Sequence, residues 1–499
     1  MIPSVEAQRI ARSLFNAAIA KYHAGDLDGA AEDSRQVLVI IPENAGAFHL
    51  LGLVHHAQGR HDDAADLIER AMARNPRVAE YAIDLAHVRA TQDRWVDCAA
   101  ACRIAIALEP DSAVAHCSLG IALMWQGRAN LAEESIRKAI ACDADYAPAW
   151  SALGEVFYSQ GRDGEAESVW QKAIDRKPDA AAAHFNLAMS RLAVDDYEQG
   201  WPGFEWRADA DPTRFNAPAL AAPRWQGEPL AGKSILVWGE QGLGEQVLFA
   251  SLIPDLIARE AQVILACERR LVPLFARSFP NVRVVAREAP IFHVQADFQI
   301  PIGSLAGFFR KNLLQFPSHK GYLRVDPGLA VELRARYRRL AGTARMVGLV
   351  WRSSRRRGGA FKSTDLAEDW GPVLCQSGVA FFSLQHGPVY AAIGRAHIMH
   401  GSIIHHDDTI DSAADVDSWA AQIAAMDTVI SVSSTAAHLA GAMNVPCRTL
   451  TAAGPGRLWY WGKQRPHTPW YPNMRLYPQS KSGDWSEAMT QAAVDLGPV

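Results

Sequence analysis

The sequence of 499 residues predicts an α + α/β protein: an N-terminal α-solenoid followed by two Rossmann-like lobes. Three observations lead there. A spacing of 34 residues recurs through roughly the first two hundred positions. A proline- and alanine-rich stretch, Asp211 to Lys233, then interrupts it. Beyond that point short apolar runs alternate with helical stretches, the pattern of parallel strands joined by crossover helices.

The repeat is written in four columns, each stepping by 34 residues. One holds Gly25-Asp26, Gly59-Arg60, Asp93-Arg94, Gly127-Arg128, Gly161-Arg162 and Asp195-Asp196. A second holds Leu51, Leu85, Leu119, Leu153 and Leu187, each followed by Gly or Ala. The third is Ala30, Ala64, Cys98, Ala132 and Ala166, and the fourth Pro42, Pro76, Pro110 and Pro178. Physically, the first column is a turn. The second and third let two helices cross closely. Proline marks where the second helix stops. These columns resemble the tetratricopeptide repeat (TPR), most clearly in WSALGEVF (Trp150 to Phe157) with Ala166, Ala173 and Pro178. Repeats are read at 11–44, 45–78, 79–112, 113–146 and 147–180, with a partial sixth from 181 and a degenerate first copy suited to capping. The resemblance implies a curved superhelix over 1–200 whose concave face holds a protein. An array that only supports or dimerises the rest of the chain is the alternative. Nucleocytoplasmic O-GlcNAc transferases line this groove with an asparagine ladder. Here the column reads Asn16, Leu50, Asp84, Ser118, Ala152 and Asn186, so that ladder is absent.

The repeat dissolves in DDYEQGWPGFEWR (Asp195 to Arg207), and residues 201–232 are read as a linker. A first lobe, 233–340, is expected to carry strands at ILVW, VILAC, VRVVA and DFQIP, with helices at 245–259 and 268–278. A second, 341–499, is expected to carry strands at MVGLVW, VAFFSLQ, GSIIHH, TVISVS and CRTLTA, helices near 365–375, 415–426 and 434–444, and a C-terminal helix. In open parallel sheets ligands sit beyond the carboxyl ends of strands, so the turns there are where function is sought.

Five such turns stand out. GEQGLGE, Gly239 to Glu245, has the glycines of an anion-binding turn but two glutamates and no lysine. SVSSTAAHLAGAM, Ser431 to Met443, joins a strand to an alanine-rich helix. Ser433, Ser434 and Thr435 stand at the helix start, where capping hydroxyls and free N–H groups favour an anion; Ala436 keeps the helix thin, and His438 follows one turn later. WRSSRRRGGAFK, Trp351 to Lys362, supplies Arg352 and Lys362 as a cation pair for a diphosphate, while Arg355, Arg356 and Arg357 read as a solvated loop. QHG places Gln385 after a strand of the second lobe, where it is a candidate, with His438, to contact the donor and its nucleotide. His405-His406-Asp407-Asp408 invites a metal reading, but successive strand residues point to alternate faces, so no metal site is expected. Trp351, Trp459 and Trp461 are candidates to line a sugar or base pocket, or simply to close the core.

Bulk composition narrows the class. A net charge of -4 excludes the basic footprint of a nucleic-acid binder. Seven cysteines without a C-x-x-C pair argue against zinc ribbons and disulfide frameworks and suit a reducing, cytoplasmic setting. No secretory signal or membrane span is expected.

PRWQGEPLAGKSILVWGEQGLGEQVLFA (Pro223 to Ala250), VGLVW, SLQHG, AMDTVISVSSTAAHLAGAM and PWYPNMRL together resemble the bacterial TPR glycosyltransferases with a GT-B catalytic region, related to the family 9 heptosyltransferases; some members modify flagellin. The resemblance implies a nucleotide-sugar donor as substrate, no cofactor, and a Ser/Thr hydroxyl of a protein, flagellin among the candidates, as acceptor. It assigns the proton acceptor to Glu245, in an acceptor-side loop with Glu240, Gln241, Gly242 and Gly244. Donor phosphates fall to Thr435, Ala436 and Lys362. Two positions depart from the family's pattern: Glu245 where Asp is usual, and Ser433 where an acid is usual. Acids at a helix start are also favourable for purely structural reasons. Two other readings fit the same residues: a catalytically degenerate protein-binding scaffold, and a lipopolysaccharide-type sugar transferase.

Overall fold

The computed structural model describes residues 4–215, 218–288, 294–353, 359–463 and 465–497. Its compact units are Met1–Ala180 and Ala181–Val499.

The first unit is built of helix pairs: α1 (Val5–His23) with α2 (Leu27–Ile40), α3 (Ala45–Ala57) with α4 (His61–Arg74), α5 (Ala79–Thr91) with α6 (Trp95–Leu108), α7 (Ala113–Trp125) with α8 (Ala129–Cys142), and α9 (Ala147–Ser159) with α10 (Asp163–Arg176). The turn column has one physical cause. Gly25, Gly59, Asp93, Gly127 and Gly161 all take a positive φ, from 59° to 81°, to end the first helix of each pair. Only glycine, or a short polar residue such as Asp, does so cheaply. Ala30, Ala64, Ala132 and Ala166 are wholly buried at the crossings. The Leu-Gly column is equally constrained: a Cβ on Gly120 would lie 3.0 Å from the Ala132 carbonyl oxygen. Asp26 and Asn44 cap their helices, each accepting a backbone N–H at 2.9 Å. In the missing ladder's column, Asp84 accepts from His49 Nε2 at 2.7 Å.

The second unit opens with α11 (Ala181–Ala193) and α12 (Tyr197–Phe204), joined by the same turn at Asp195, φ 66°. Strands β1 (Ser234–Trp238), β2 (Gln262–Cys267), β3 (Arg283–Ala286) and β4 (Phe298–Pro301) follow. They form a parallel sheet in the order β3-β2-β1-β4. A second parallel sheet comprises β5 (Arg345–Val350), β6 (Val379–Ser383), β7 (Ile404–His405), β8 (Thr428–Val432), β9 (Cys447–Thr451) and β10 (Met474–Pro478). Its order is β10-β9-β8-β5-β6-β7. The longer connecting helices are α13 (Leu243–Ala250), α14 (Val272–Ser278), α15 (Pro327–Ala341), α16 (Tyr390–His400), α17 (Val416–Ala424), α18 (Thr435–Ala442) and α19 (Ser486–Val494). Strand order reverses around β1 and around β5, which makes their carboxyl ends switch points where crevices open.

Several elements differ from expectation. The helix read at 245–259 begins at Leu243, stops at Ala250 and restarts as a short turn, Ile253–Ile257, with Pro254 in its first positions. The stretch 365–375 is mostly turns, with one helical turn at Gly371–Leu374, because the Asp365 carboxylate takes the N–H groups of Ala367 and Glu368. GSIIHH shrinks to the two residues of β7, and Asp407 turns aside to accept from Tyr337 at 2.7 Å and Arg336 at 2.9 Å. Helix α16 escaped notice because it buries Ala396 while exposing Ile398 and Met399, which erases the helical stripe. Among the described residues no helix is long and apolar enough to cross a membrane.

The stretch read as repeat tail and linker is welded into the second unit. Trp201 Nε1 donates to the Arg310 carbonyl at 2.7 Å, and its ring meets Trp459 edge-on at 5.5 Å. Arg465 grips both Asp195 oxygens, and Lys463 N–H donates to the Ala193 carbonyl. Arg207 donates to both oxygens of Glu240, at 3.0 and 2.8 Å, and the Gly303 N–H adds a bond of 2.9 Å. Both side chains of that ion pair are almost fully buried. Breaking a buried pair is strongly destabilising, and without Glu240 the buried Arg207 would keep only the partly exposed Glu205, at 3.2 Å, as a carboxylate partner. Glu240→Ala is therefore expected to cost about 3–5 kcal/mol in urea unfolding; a loss under about 1 kcal/mol, the range of exposed pairs, would remove this anchoring role.

Candidate functional site

The turn after β1 is held from behind. Gly239 N–H donates to the Ala266 carbonyl at 2.6 Å, and the Gln246 side-chain oxygen accepts from Glu268 N–H at 2.9 Å. Gln241 takes a positive φ of 58°, and Gly242 occupies the N-cap of α13. Glu245 lies in the first turn of α13 and curls back over its own helix start. A Cβ on Gly242 would sit 2.9 Å from the Glu245 Oε2. Gly244, next to it, faces a helix of the second sheet: a Cβ there would lie 2.7 Å from His438 Cδ2. Helix α13 of the first sheet and α18 of the second therefore cross at Gly244 and His438.

His438 is fixed on several sides. Its Nδ1 is 2.9 Å from the Tyr471 hydroxyl, its ring stacks on Trp461 at 4.9 Å, and Tyr460 meets it edge-on at 5.0 Å. Gly441 makes room for Tyr471, since a Cβ there would fall 2.5 Å from the tyrosine Cγ. Burial holds the imidazole down to about 4; Glu245 pulls upward and Lys362 further down. At the start of α18, Ser434 takes the N-cap place without a capping side-chain bond, and its hydroxyl pairs with Ser431 at 2.8 Å. The expected hydroxyl cap is thus not formed. Ser433 Oγ points to the Leu450 carbonyl at 3.4 Å.

These two helix starts border one cleft of about 440 Å³. Of the residues singled out in sequence, Gln241, Gly242, Gly244, Glu245, Arg352, Lys362, Gln385, Ser433, Ser434, Thr435 and His438 line it. Lys362 ends a short helical turn, and its buried stem packs against Gly456, where a Cβ would be 3.1 Å from the lysine Cγ. Arg352 donates to the Pro388 carbonyl at 2.9 Å. The Gln385 side-chain oxygen accepts from the N–H groups of Trp351 and Arg352, at 3.1 and 2.8 Å, so it braces the loop after β5.

Two singled-out residues are elsewhere. Glu240 is turned away into the ion pair with Arg207, and Ala436 is buried in α18. Arg355, Arg356 and Arg357 lie outside the described residues. Trp351, Trp459 and Trp461 are buried core residues, and it is Tyr460, between the last two, that reaches the cleft. Arg270 was missed. It follows the carboxyl end of β2, as the strand-end rule would have indicated, lines the cleft, and donates to Glu268 and to the Ala413 carbonyl at 2.7 Å each. Among the described residues no group of three or more His, Cys, Asp or Glu is arranged to hold a metal ion.

Comparison with known proteins agrees with the helical half. A tetratricopeptide-repeat profile matches residues 49–113, 117–180 and 151–199. The first unit is a tetratricopeptide-repeat array. Protein FlbA of Caulobacter vibrioides is 33% identical over 338 residues, 64% of this chain, and the chain spans 55% of that relative's length. An alignment of that length exceeds the first unit and reaches well into the second. Among solved structures, the MamA protein matches at 24% identity over 35% of this chain and 95% of its own, with a TM-score of 0.31. A thermophilic TPR protein of Thermus thermophilus, TTC0263, matches at 22% identity over 36% of this chain and 99% of its own, with a TM-score of 0.32.

The His438 environment carries a pH signature. Its value of about 4 in the fold lies below the 6.5 of a free imidazole, so the unfolded chain binds more protons between them. The stabilisation is therefore complete above pH 6.5 and is lost as pH falls toward 4, on the order of 3 kcal/mol in all. Urea unfolding at pH 7 and pH 4.5 should show a smaller drop for His438→Gln than for the native chain. Equal drops would contradict the environment described.

Proposed function

We propose that the second unit is an inverting, nucleotide-sugar-dependent glycosyltransferase of the GT-B arrangement, and that the repeat unit binds the protein whose Ser or Thr hydroxyl receives the sugar. One observation carries this reading: a single cleft is bordered by the carboxylate turn of Glu245, by the start of α18, and by the cations Lys362, Arg352 and Arg270. In the reaction the acceptor oxygen bonds to the anomeric carbon as the carbon–oxygen bond to the donor phosphate breaks. The hydroxyl proton passes to the Glu245 carboxylate, a transfer such groups accelerate roughly 10²- to 10⁴-fold. Charge gathering on the leaving phosphate is met by the three cations and by the backbone N–H groups of α18. Similarity to Protein FlbA covers 64% of the chain, more than the first unit alone could supply, so the relative shares part of the second unit as well. Flagellin remains the acceptor suggested by the family resemblance, and a cytoplasmic setting suits a nucleotide-sugar donor.

A second reading, a protein-binding scaffold that no longer turns over, draws on Ser433, which stands where related enzymes carry an acid and whose hydroxyl points to the Leu450 carbonyl. Incubating the full chain with flagellin and a panel of UDP-, GDP-, ADP- and CMP-linked sugars separates the two: nucleotide release supports transfer, and none with any donor supports the scaffold. Two variants test the roles. Lys362→Ala should weaken donor binding roughly 10- to 100-fold by calorimetry, the worth of a hydrogen bond to a charged group; unchanged affinity would exclude it from the phosphate site. Glu245→Gln should lose about 10²-fold or more in turnover with donor affinity retained, and a fully active variant would remove it as the base.

A further inference from the structure

The segment after β5 carries two of the cations of the cleft, Arg352 and Lys362, and its first N–H groups are all taken. Trp351 and Arg352 both donate to the side-chain oxygen of Gln385, at 3.1 and 2.8 Å. The Ser353 N–H goes to the Ser363 hydroxyl at 3.0 Å. The Trp351 carbonyl accepts twice from Thr364, from its N–H and from its hydroxyl, at 2.8 Å each. These bonds staple the base of the segment, and Lys362 stands directly before the staple. Arg352 is held a second time: its Nη2 donates to the Pro388 carbonyl at 2.9 Å. Gln385 and Pro388 belong to one turn after β6, which bends at Gly387, φ 83°. Gln385 itself has little left to give. Its oxygen, with two lone pairs, accepts twice, and its Nε2 donates to the His386 carbonyl at 3.0 Å. The residue is only 5% exposed.

We infer that Gln385 is a positioning residue for Arg352 and not itself a donor contact: the turn after β6 is a template that fixes Arg352 by its backbone and by its guanidinium, and so holds a cation ready for the donor phosphate. This role rests on the glycosyltransferase reading and adds to it how the phosphate charge is met. An N–H already bonded to an amide or hydroxyl oxygen is not available to a phosphate. From Trp351 to Ser353, therefore, it is the Arg352 side chain that meets the anion, while backbone donors come from the start of α18, where no side chain caps the helix. The bond to Pro388 uses one nitrogen of the guanidinium fork and leaves the rest of it in the lining of the cleft. A loose arginine would lose its rotamer freedom on gripping the ligand. Arg352 has lost it on folding, so the donor meets a charge already in place.

The test is a double-mutant cycle on the full chain, read by calorimetry with whichever of UDP, GDP, ADP and CMP the native chain binds. Gln385→Met keeps the length of the side chain and removes both ends of the brace. It should weaken nucleotide binding about tenfold, and Arg352→Ala roughly 10- to 100-fold. The double variant should match Arg352→Ala within about twofold, because both changes act through one side chain. Losses that multiply would make Gln385 a direct contact and overturn the inference. So would native affinity in Gln385→Met, the result of a bond that only supports the fold. Gln385→Asn, polar but with its oxygen drawn back by one methylene, carries the same expectations if the methionine variant does not fold. Hydrogen exchange of the ligand-free protein, followed by mass spectrometry, reads the brace itself. The peptide holding Trp351 and Arg352 should be protected in the native chain and exchange about tenfold faster in the Gln385 variant; equal rates also overturn the inference. A native chain that binds none of these nucleotides would refute the glycosyltransferase reading, while the exchange rates would still decide whether Gln385 holds the segment.

Discussion

The second unit depends on one close approach. Helices α13 and α18 belong to different sheets, and they meet where Gly244 has no side chain and His438 fills the space. A methyl group at 244 would overlap the imidazole, and the two helix starts would have to separate. Because those starts follow strands at or beside the points where sheet order reverses, the contact that joins the helices of the two sheets also borders the cleft. His438 is thus a packing residue and a cleft residue at once. Its aromatic surround, Trp461, Tyr460 and Tyr471, reads as a support for its orientation.

The distribution of charge follows from this geometry. Glu240 and Glu245 come from one seven-residue turn yet serve different ends. Glu240 points inward to Arg207 and ties the segment after α12 to the first sheet; Glu245 stays at the helix start, in the cleft. The cations come mainly from segments of the second sheet, with Arg270 arriving from the first. Carboxylate and cations thus line one and the same opening.

The repeat half was legible in sequence because a left-handed turn and a close helix crossing each demand a particular residue type, and both recur at a fixed interval. Strands and most cleft residues were legible because short apolar runs end in turns whose composition is distinctive. What escaped detection depended on partners distant in the chain. Nothing near Glu240 announces Arg207, and nothing near Arg270 announces the Ala413 carbonyl. Tyr460 was passed over in favour of its tryptophan neighbours because residue size, without knowledge of which side faces inward, favours the larger rings. Helix α16 hid because its apolar residues lie on its exposed side.

The last helical hairpin, α11 and α12, keeps the sequence signature of the repeats while its tryptophan and aspartate serve the sheets. Every residue of that weld lies after Ala180. The 34-residue period thus runs on into a hairpin whose tryptophan and aspartate find their partners outside the repeats.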